Sequence, residues 1–377
     1  MKRFFLLTLA SAALLGASAA PVKTYEVKSP DGRLALVLTA GERLSFTVAR
    51  DGETLVAPSE MALTLSTGEV LGESPRVRSA RRRAVTETID APLYRQSRFD
   101  AAYNELDLRL RGDYGILARA YDDGVCYRFY TERDGELTIV DETAQLNFEG
   151  DPSAYIPYSK TEIPMRTSFE NTYEYAPLSK FRTQTVAFMP VLVDLGERGY
   201  VLYTESDVEA YPGVYLTYDK EAKGFAARFA ECPTETSLTK RFQDVVERSA
   251  DYIARVDGRR SYPWRIVAYA ATATELPVND MVWQTAEASR VADASWVRDG
   301  KIAWDWWNNW GVYGVDFKSG INTETYKYFI DFAAANGIEY VALDEGWGVR
   351  DGDVMHVVPE IDLPEIVSYA REKKVGI

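Results

Sequence analysis

Residues 303–310, Ala-Trp-Asp-Trp-Trp-Asn-Asn-Trp, are the densest group of side chains in this sequence that could recognise a ligand. The apolar face of a sugar ring stacks on an indole, and the oxygen and nitrogen atoms of Asp and Asn hydrogen-bond to sugar hydroxyls. The same aromatic side chains could instead wedge a strand against a helix inside a barrel. The residues alone do not separate a sugar site from core packing here.

The alternation of a strand divides this group into two faces. We predict a strand over Lys301–Trp307, in which Trp304 and Trp306 point one way while Asp305 and Trp307 point the other. A buried Asp beside an indole is costly unless it is hydrogen-bonded or paired with a charge. We therefore expect Trp304 and Trp306 mainly to pack.

A second candidate is the run Leu343-Asp344-Glu345-Gly346-Trp347, which follows a near-continuous apolar run, Ile338–Leu343. Such a run is typical of a buried parallel strand. Acidic residues just beyond its carboxyl end lie where (β/α) barrels carry their active sites. They could also cap the next helix or meet water.

Three other polar groups carry weaker signals. The run from Ser168 to Glu174 contains Glu170 and Asn171, whose oxygens suit Ca²⁺, although from the residues alone we favour a solvated loop. The arginines around position 80 have no interleaved aromatic residues, and we interpret them as a solvated strand face. His356 lies between Met355 and Val357 and is interpreted as structural.

The elements around these candidates alternate between strand and helix. Asn322 can cap a helix that Asn336-Gly337 ends. Its apolar side chains have the spacing i, i+3, i+4 and i+7; they are Tyr326, Phe329, Ile330 and Ala333. Asp362 and Glu365 form a capping-box variant that opens a second helix through about Lys373. The last residues begin another apolar run. Strand, helix, strand, helix and strand indicate a (β/α) progression.

The sequence from Pro21 to about Arg260 has a different pattern. Alternating apolar residues at Leu34-x-Leu36-x-Leu38 and Leu106-x-Leu108 predict strands with one buried face. Turn signals such as Asp51-Gly52 separate them. All eight tryptophans of the chain follow this region. We therefore predict a large β-sandwich followed by a second module.

Composition excludes several classes of protein. Of the 377 residues, 46% are hydrophobic and 27% charged, which excludes wholesale disorder. The net charge of −14 disfavours nucleic-acid and anionic membrane partners. One histidine and two cysteines rule out a His-rich zinc site and a disulfide framework. Cys126 and Cys232 could pair with each other or remain as thiols. Catalysis must rest mainly on carboxylates, amides and aromatics.

The N-terminus predicts export. Lys2 and Arg3 precede an apolar stretch that is too short to span a bilayer, and Ala17-Ser18-Ala19 fits the signal-cleavage pattern. No second long apolar run occurs. We expect a signal peptide over residues 1–20, a periplasmic or secreted protein, and no stable membrane insertion.

Several of these motifs, in this order and spacing, resemble glycoside hydrolase family 97. The motifs that carry the resemblance span essentially the whole mature chain; they are Ser29–Gly32, Tyr121–Val125, Phe169–Tyr173, Thr204–Asp207, Tyr211–Gly213, Pro263–Arg265, Gly300–Asn308, Gly314–Phe317, Asn336–Val341 and Leu343–Trp347.

The resemblance implies a fold of several domains, β followed by α/β. An N-terminal β-supersandwich over residues 21–280 would precede the start of a catalytic (β/α)₈ barrel over residues 281–377. About two βα units cannot close a barrel of eight. We therefore expect an N-terminal fragment of a longer protein, the alternative being a small complete α/β appendage.

The resemblance also implies site residues and a cofactor. Glu170 matches the glutamate that the family's N-terminal domain gives to a Ca²⁺ site. Trp307 and Asn308 match residues of the sugar pocket, and we add Asp344, Glu345 and Trp347 as candidates for substrate binding. The catalytic acid and its partner come from later barrel strands in the family, so none is assigned here.

The function implied is that of an exo-acting, Ca²⁺-dependent α-glucosidase that acts on oligosaccharides, with this chain alone inactive. Two alternatives stay open: a retaining α-galactosidase of the same family, and a non-catalytic carbohydrate-binding module built on the sandwich.

Overall fold

A computed structural model describes residues 22–91, 93–160, 169–238, 244–349, 353 and 355–377. The predicted signal peptide and Ser168 lie outside these ranges. The chain divides into two compact units. The first contains the described residues up to Cys232 together with Ala250–Glu287, and the second contains Pro233–Ser249 and Ala288–Ile377.

Strands dominate the described residues. In chain order the strands are β1 Lys23–Lys28, β2 Leu34–Ala40, β3 Leu44–Arg50, β4 Glu53–Leu65, β5 Val70–Leu71, β6 Val77–Asp90, β7 Arg98–Leu110, β8 Tyr114–Tyr121, β9 Gly124–Asn147, β10 Ser153–Ile156, β11 Glu174–Pro177, β12 Val191–Asp194, β13 Tyr200–Ser206, β14 Tyr215–Asp219, β15 Gly224–Arg228, β16 Pro233–Leu238, β17 Asp244–Ser249, β18 Ala254–Ser261, β19 Trp264–Ala270, β20 Ile302–Trp304 and β21 Tyr340–Ala342. The α-helices are α1 Met281–Thr285, α2 Thr323–Asn336 and α3 Leu363–Lys373.

The first unit is an antiparallel β domain organised around β9. The first half of β9 pairs with β8 on one side and with β19 and β18 on the other. Its second half pairs with β4 and β15. The meander β1–β4 joins through β4, the meander β6–β8 joins through β8, and β19 continues through β13 and β12 to β10. One long strand therefore belongs to both layers of sheet.

The core of this unit lies between the layers, because period-two strands present one apolar face to it. In β2, Leu34, Leu36 and Leu38 are fully buried while the residues between them are half-buried. Phe46 of β3 meets Tyr127 of β9 with the ring centroids 4.9 Å apart, which joins the two layers. The predicted large antiparallel β domain is confirmed.

The two cysteines of the chain are not bonded to each other. Cys126 is buried in the first unit and Cys232 is half-buried. Burial raises the pKa of the Cys126 thiol to about 12, which keeps it protonated and unreactive at neutral pH. Cys126 therefore acts as a small apolar side chain.

Asp123 gives this unit a pH-dependent stability. Its carboxylate accepts a hydrogen bond from Asn279 Nδ2 at 3.2 Å, and burial raises its pKa to about 6. The folded state thus holds this proton more tightly than the unfolded chain does. The Asp123 contribution is full below about pH 4 and is lost as the pH rises through about 6.

Replacing Asp123 with Asn should flatten that fall. An amide stays neutral over this range. Between about pH 4 and pH 7, the free energy of unfolding of the wild type should therefore fall by about 1–3 kcal/mol more than that of Asp123→Asn. Urea unfolding at several pH values measures the difference. Superimposable pH profiles for the two proteins would contradict the assignment.

The second unit contains the antiparallel hairpin β16–β17 and a parallel pair, β20 and β21. Helix α2 connects the parallel strands. Its N-cap Asn322 accepts a hydrogen bond from Thr325 N, and Gly337 ends the helix in the left-handed conformation. Asp362 caps α3 by accepting from Glu365 N. Both predicted helices and their N-cap residues are confirmed, but the Glu365 half of the predicted capping box is not formed, because Asp362 N donates to Thr323 Oγ1.

A further parallel contact lies beside β21. Tyr340 and Gly376 form a parallel bridge, and Val341 N donates to Gly376 O at 2.9 Å. The last apolar run of the sequence therefore forms one parallel bridge with β21, on the other side of β21 from β20. This order is the one that a (β/α) progression requires, while closure into a barrel stays a prediction.

Candidate sugar-binding residues at the strand ends

The carboxyl ends of β20 and β21 meet at one edge of the second unit. Trp304 lies opposite Ala342 in the parallel register, so that the residues after each strand, Asp305 and Leu343-Asp344, emerge together. The side chains that the sequence offered for chemistry are thereby brought to one place. In the sequence, Asp305 and Asp344 are about forty residues apart.

The predicted strand Lys301–Trp307 is wrong in its second half. The strand ends at Trp304, and Asp305–Asn308 form a 3₁₀ turn. The chain then passes through two left-handed residues, Asn309 at φ 50° and Trp310 at φ 52°. Asn tolerates that conformation, but a bulky aromatic rarely adopts it. The strand alternation that placed Trp304 and Trp306 opposite Asp305 and Trp307 therefore does not hold.

Instead, three indoles form one exposed cluster. The ring centroids of Trp304 and Trp306 are 5.5 Å apart, those of Trp304 and Trp307 5.3 Å, and those of Trp306 and Trp307 5.7 Å. Trp307 is 75% exposed, whereas Trp304 and Trp306 are 37% and 45% exposed. The expectation that Trp304 and Trp306 are buried packing residues is not met. Of the three indoles, Trp307 is the most exposed.

Beneath the cluster lies Asp305, which is fully buried. Its Oδ2 accepts a hydrogen bond from the Tyr326 hydroxyl at 2.7 Å, and Asp344 N lies 3.3 Å from its Oδ1. Burial raises the pKa of the Asp305 carboxyl above its ordinary value. The partners that a buried Asp requires are present, which makes Asp305 the anchor between the two strand ends.

Asp344 continues this network toward the surface. Its Oδ2 accepts from Trp304 Nε1 at 2.6 Å, and its Oδ1 accepts from Glu345 N at 2.7 Å. Both oxygens are thus engaged in holding the indole and the loop. Glu345 is exposed. Of the two predicted acidic site residues, Asp344 positions Trp304, and Glu345 has the accessible carboxylate.

Trp347 and Asn308 differ in their surroundings. Trp347 is half-buried and packs against the apolar core of the second unit, and its carbonyl accepts from Val358 N at 2.9 Å. Asn308 is exposed at the end of the turn, beside Trp307. Gly346 between the strand-end residues has φ +104°, and a Cβ there would overlap Ile321. The structure thus groups Asn308 with the indole cluster and directs Trp347 to packing.

Tyr326 is the residue of this network that the sequence analysis missed. It was assigned only to the apolar face of its helix. A buried tyrosine needs a hydrogen-bond partner for its hydroxyl, and a buried Asp needs a donor. Because Tyr326 and Asp305 lie in neighbouring elements of one unit, these two requirements together could have predicted the hydrogen bond between them.

Glu170, the predicted Ca²⁺ ligand, lies in the first unit with 76% of its side chain exposed. Lys160 Nζ is 3.9 Å from its carboxylate, a weak ion pair. Glu174, four residues later, is bound by the Arg182 guanidinium. The described ranges contain no group of three or more acidic, His or Cys side chains able to hold a metal ion. Glu170 is thus an available but solitary carboxylate.

The comparisons with known proteins place these features in a family. One family model, described as glycosyl-hydrolase 97 N-terminal, matches residues 27–287, and a second, described as glycoside hydrolase 97, matches residues 306–377.

Two curated relatives align over nearly the whole chain. A retaining alpha-galactosidase of Bacteroides thetaiotaomicron is 41% identical over 364 residues, which is 94% of this chain and 55% of the relative. A probable retaining alpha-galactosidase of Streptomyces bingchenggensis is 30% identical, with 92% of this chain and 50% of the relative covered. The chain spans about half the length of the curated relatives it matches.

Solved structures share the fold at lower identity. A glycoside hydrolase family 97 enzyme from Pseudoalteromonas sp. strain K8, in complex with acarbose, has a TM-score of 0.77 at 19% identity, covering 93% of this chain and 53% of that one. A beta-arabinopyranosidase has a TM-score of 0.71 at 21% identity, covering 93% and 54%. With both family models matched in order, this chain belongs to glycoside hydrolase family 97.

Proposed function

We propose that this chain is part of an exo-acting glycoside hydrolase that removes terminal α-linked galactose with retention of configuration. The observation that carries the proposal is the 41% identity, over 94% of this chain, to a retaining alpha-galactosidase. The sequence analysis favoured an α-glucosidase and kept the galactosidase as its alternative. The curated relatives support that alternative.

The strand-end cluster suits the binding of a terminal sugar. Trp307 offers an exposed indole face, and the Asn308 amide beside it can both donate to and accept from a hydroxyl. The Asp305–Asp344 network fixes Trp304, against which Trp307 packs. A rigid support is what a site needs if it is to hold a pyranose in one orientation.

The test compares substrates in the full-length enzyme. Turnover of p-nitrophenyl α-galactoside should exceed that of the α-glucoside, and NMR of the first-formed sugar should show the α-anomer. Faster turnover of the α-glucoside would instead support the α-glucosidase hypothesis. A β-anomer would reject retention, and the absence of any turnover would favour the non-catalytic binding module.

In that enzyme, Asn308→Ala should lower kcat/KM by about ten- to a hundredfold, since a lost contact to a substrate hydroxyl costs about 1–3 kcal/mol. The melting temperature should hardly change, because Asn308 is exposed. Asn336→Ala, an exposed amide at the end of α2, is the matched control and should leave kcat/KM unchanged. Equal effects of the two substitutions would remove Asn308 from the sugar site.

We also propose that Glu170 ligates a Ca²⁺ ion. Ca²⁺ takes six to eight oxygen ligands, and an exposed carboxylate with one distant lysine partner can turn toward it. Because the described residues contain no group of three or more acidic, His or Cys side chains for such a site, we place its other ligands outside the described residues. When bound, the ion would supply a fixed positive charge.

Glu170→Gln should therefore weaken Ca²⁺ affinity at least tenfold in the full-length enzyme, because an amide lacks the negative charge that a hard cation prefers. Calorimetric titration of chelated protein with CaCl₂ measures it. Glu174→Gln is the matched control, since Glu174 is already bound by Arg182. A loss of affinity confined to Glu174→Gln would move the ligand four residues along.

Export to the periplasm or medium remains part of the proposal and rests on the N-terminal sequence. Among the helices of the described ranges, none combines the length and apolar character that crossing a bilayer requires.

A further inference from the structure

A groove of about 630 Å³ crosses one face of the sheet in the first unit. It runs over β6, β7, β8, β9 and β18, on the face that points away from the main core. In β7, for example, Leu106 and Leu108 enter the core while Asp107 and Arg109 line the groove. This groove lies outside the strand-end cluster and shares no residue with it.

Arginine dominates the lining. Five arginines and three carboxylates border the groove, in a chain whose net charge is −14. The arginine run that the sequence analysis interpreted as a solvated strand face supplies Arg81 and Arg83. The opposite side supplies Arg260. The groove is therefore a local positive region on an acidic protein.

All three carboxylates of the groove are engaged by arginines, with Arg109 shared between Asp107 and Glu132, to which its Nη1 donates at 3.4 Å. Glu105 accepts from Arg83 Nε at 2.5 Å and from Arg119 Nε at 2.9 Å. Asp107 accepts from the Tyr130 hydroxyl at 2.6 Å and from Arg109 Nε at 3.2 Å. These acids hold the arginines in place and leave a surplus of positive charge.

Three arginines of the lining, Arg81, Arg82 and Arg260, have no carboxylate partner among the described residues. Arg82 donates from Nε to the Glu26 carbonyl at 3.0 Å. Arg81 lies opposite Asp107 in the strand register, but both oxygens of Asp107 are taken, and Arg81 has no partner within the described parts of the chain. Arg260 donates to the carbonyls of Ser261 and Glu209, which orient the side chain without cancelling its charge. Arg81 on β6 and Arg260 on β18 are separated by β7, β8 and β9, so an anion would gain charge-assisted hydrogen bonds from Arg81 and longer-range attraction from Arg260.

The floor of the groove suits a ring. Leu117 is half-buried there, and the Tyr130 ring lies over Gly115, where any Cβ would overlap it. An aromatic ring held flat on a sheet presents a face for the apolar side of a pyranose. The volume lies within the range of small-ligand sites. The overall negative charge opposes a long polyanion.

We propose that this groove is an accessory site for an acidic saccharide, a sugar whose carboxylate group is recognised by Arg81. The inference concerns binding alone and is independent of the proposed hydrolysis, so that either can fail without the other.

Calorimetric titration of the purified protein with galacturonate, galactose, sodium sulfate and a short single-stranded oligonucleotide tests it. Galacturonate should bind with a millimolar dissociation constant that rises with salt. Arg81→Gln should raise that constant about tenfold, the effect of losing a charged hydrogen bond. Arg98→Gln is the control, since Arg98 lies on β7 outside the groove and pairs with Asp90.

Unchanged melting temperatures are expected for both variants, because both side chains are exposed. Equal affinity for galactose would show that the carboxylate is not recognised. Equal affinity for sulfate would show a bare anion site, and preference for the oligonucleotide would show a nucleic-acid surface. Each of these, or an undiminished affinity in Arg81→Gln, overturns the proposal.

Discussion

The 377-residue chain should release no measurable galactose from p-nitrophenyl α-galactoside, whereas the full-length enzyme should accelerate that hydrolysis by at least about a millionfold over water. A glycosidase needs two carboxyl groups flanking the scissile bond, one to donate a proton and one to attack or to activate water. At the strand ends, the described part of the chain offers three carboxyl groups, and two of them are committed to structure.

Those two are Asp305 and Asp344. Asp305 is fully buried and is held by Tyr326, while both oxygens of Asp344 accept hydrogen bonds from the surrounding loop and indole. Glu345 alone is accessible, and one carboxylate cannot serve as both groups of the pair. We therefore expect the substrate to be hydrolysed no faster with the chain present than in buffer alone.

Glu345→Gln sharpens this test. If the chain alone showed inhibitor-sensitive turnover that Glu345→Gln abolished, Glu345 would be a catalytic residue and the proposed division of labour would be wrong. Turnover that survives the substitution would point to a contaminating glycosidase or to a carboxylate elsewhere. Full-length enzyme carrying Glu345→Gln should keep most of its kcat, because the catalytic pair is expected from later strands.

The antiparallel domain was predictable because the alternation of apolar and polar residues in its strands can be read directly from the sequence. Alternation in β2 and β7 defines one buried face for each, and turn signals separate the hairpins. The long β9 was less visible, because one strand of 24 residues that serves both layers has no local signature. Its partners lie as far apart in sequence as β4 and β19.

The site was predictable in location but not in local backbone. Because aromatic residues favour strands, the sequence predicts that β20 extends through Trp307. The strand instead ends at Trp304, and the 3₁₀ turn that follows leads into two left-handed residues, Asn309 and Trp310, neither of which is a glycine. Strain of this kind is sustained by surrounding contacts and cannot be inferred from residue types.

Buried charge was the other feature hidden from the sequence. Arg265 was noted only as part of a motif. In the structure it is 1% exposed and joins two carboxylates, from Glu142 and Glu205, that lie 123 and 60 residues away along the chain. Nothing local connects these three positions. Glu205 lies opposite Arg265 in the register of β13 and β19, but Glu142 lies in the second half of β9, which pairs with β4 and not with β19.

Arg265→Met should destabilise the protein by about 3–5 kcal/mol, the largest stability effect expected for any substitution considered above. Arg265 Nε and Nη2 donate to the two oxygens of Glu142 at 2.8 and 2.7 Å, and Nη1 donates to Glu205 at 2.5 Å. Methionine fills much of the same space but leaves Glu142 buried beside Glu205 without a counter-charge. Urea unfolding at pH 7 measures the loss.

Two further variants separate charge from packing. Arg33→Met breaks an exposed pair with Asp51 and should cost less than about 1 kcal/mol. Adding Glu142→Leu to Arg265→Met removes the stranded carboxylate and should recover part of the stability. If Arg265→Met cost no more than Arg33→Met, water would have to reach Glu142 and the buried-network assignment would fail.

The pH dependence of the stability lost in Arg265→Met distinguishes a lost charge interaction from lost packing. Without the guanidinium, a buried carboxylate has its pKa raised, because burial disfavours the charged form. The folded variant then binds a proton that the unfolded chain releases, so acid stabilises the variant relative to the wild type. The deficit should therefore shrink as the pH falls from about 7 to 5. A deficit that stays constant over that range would mean that the substitution acts through lost packing, since a cavity does not titrate.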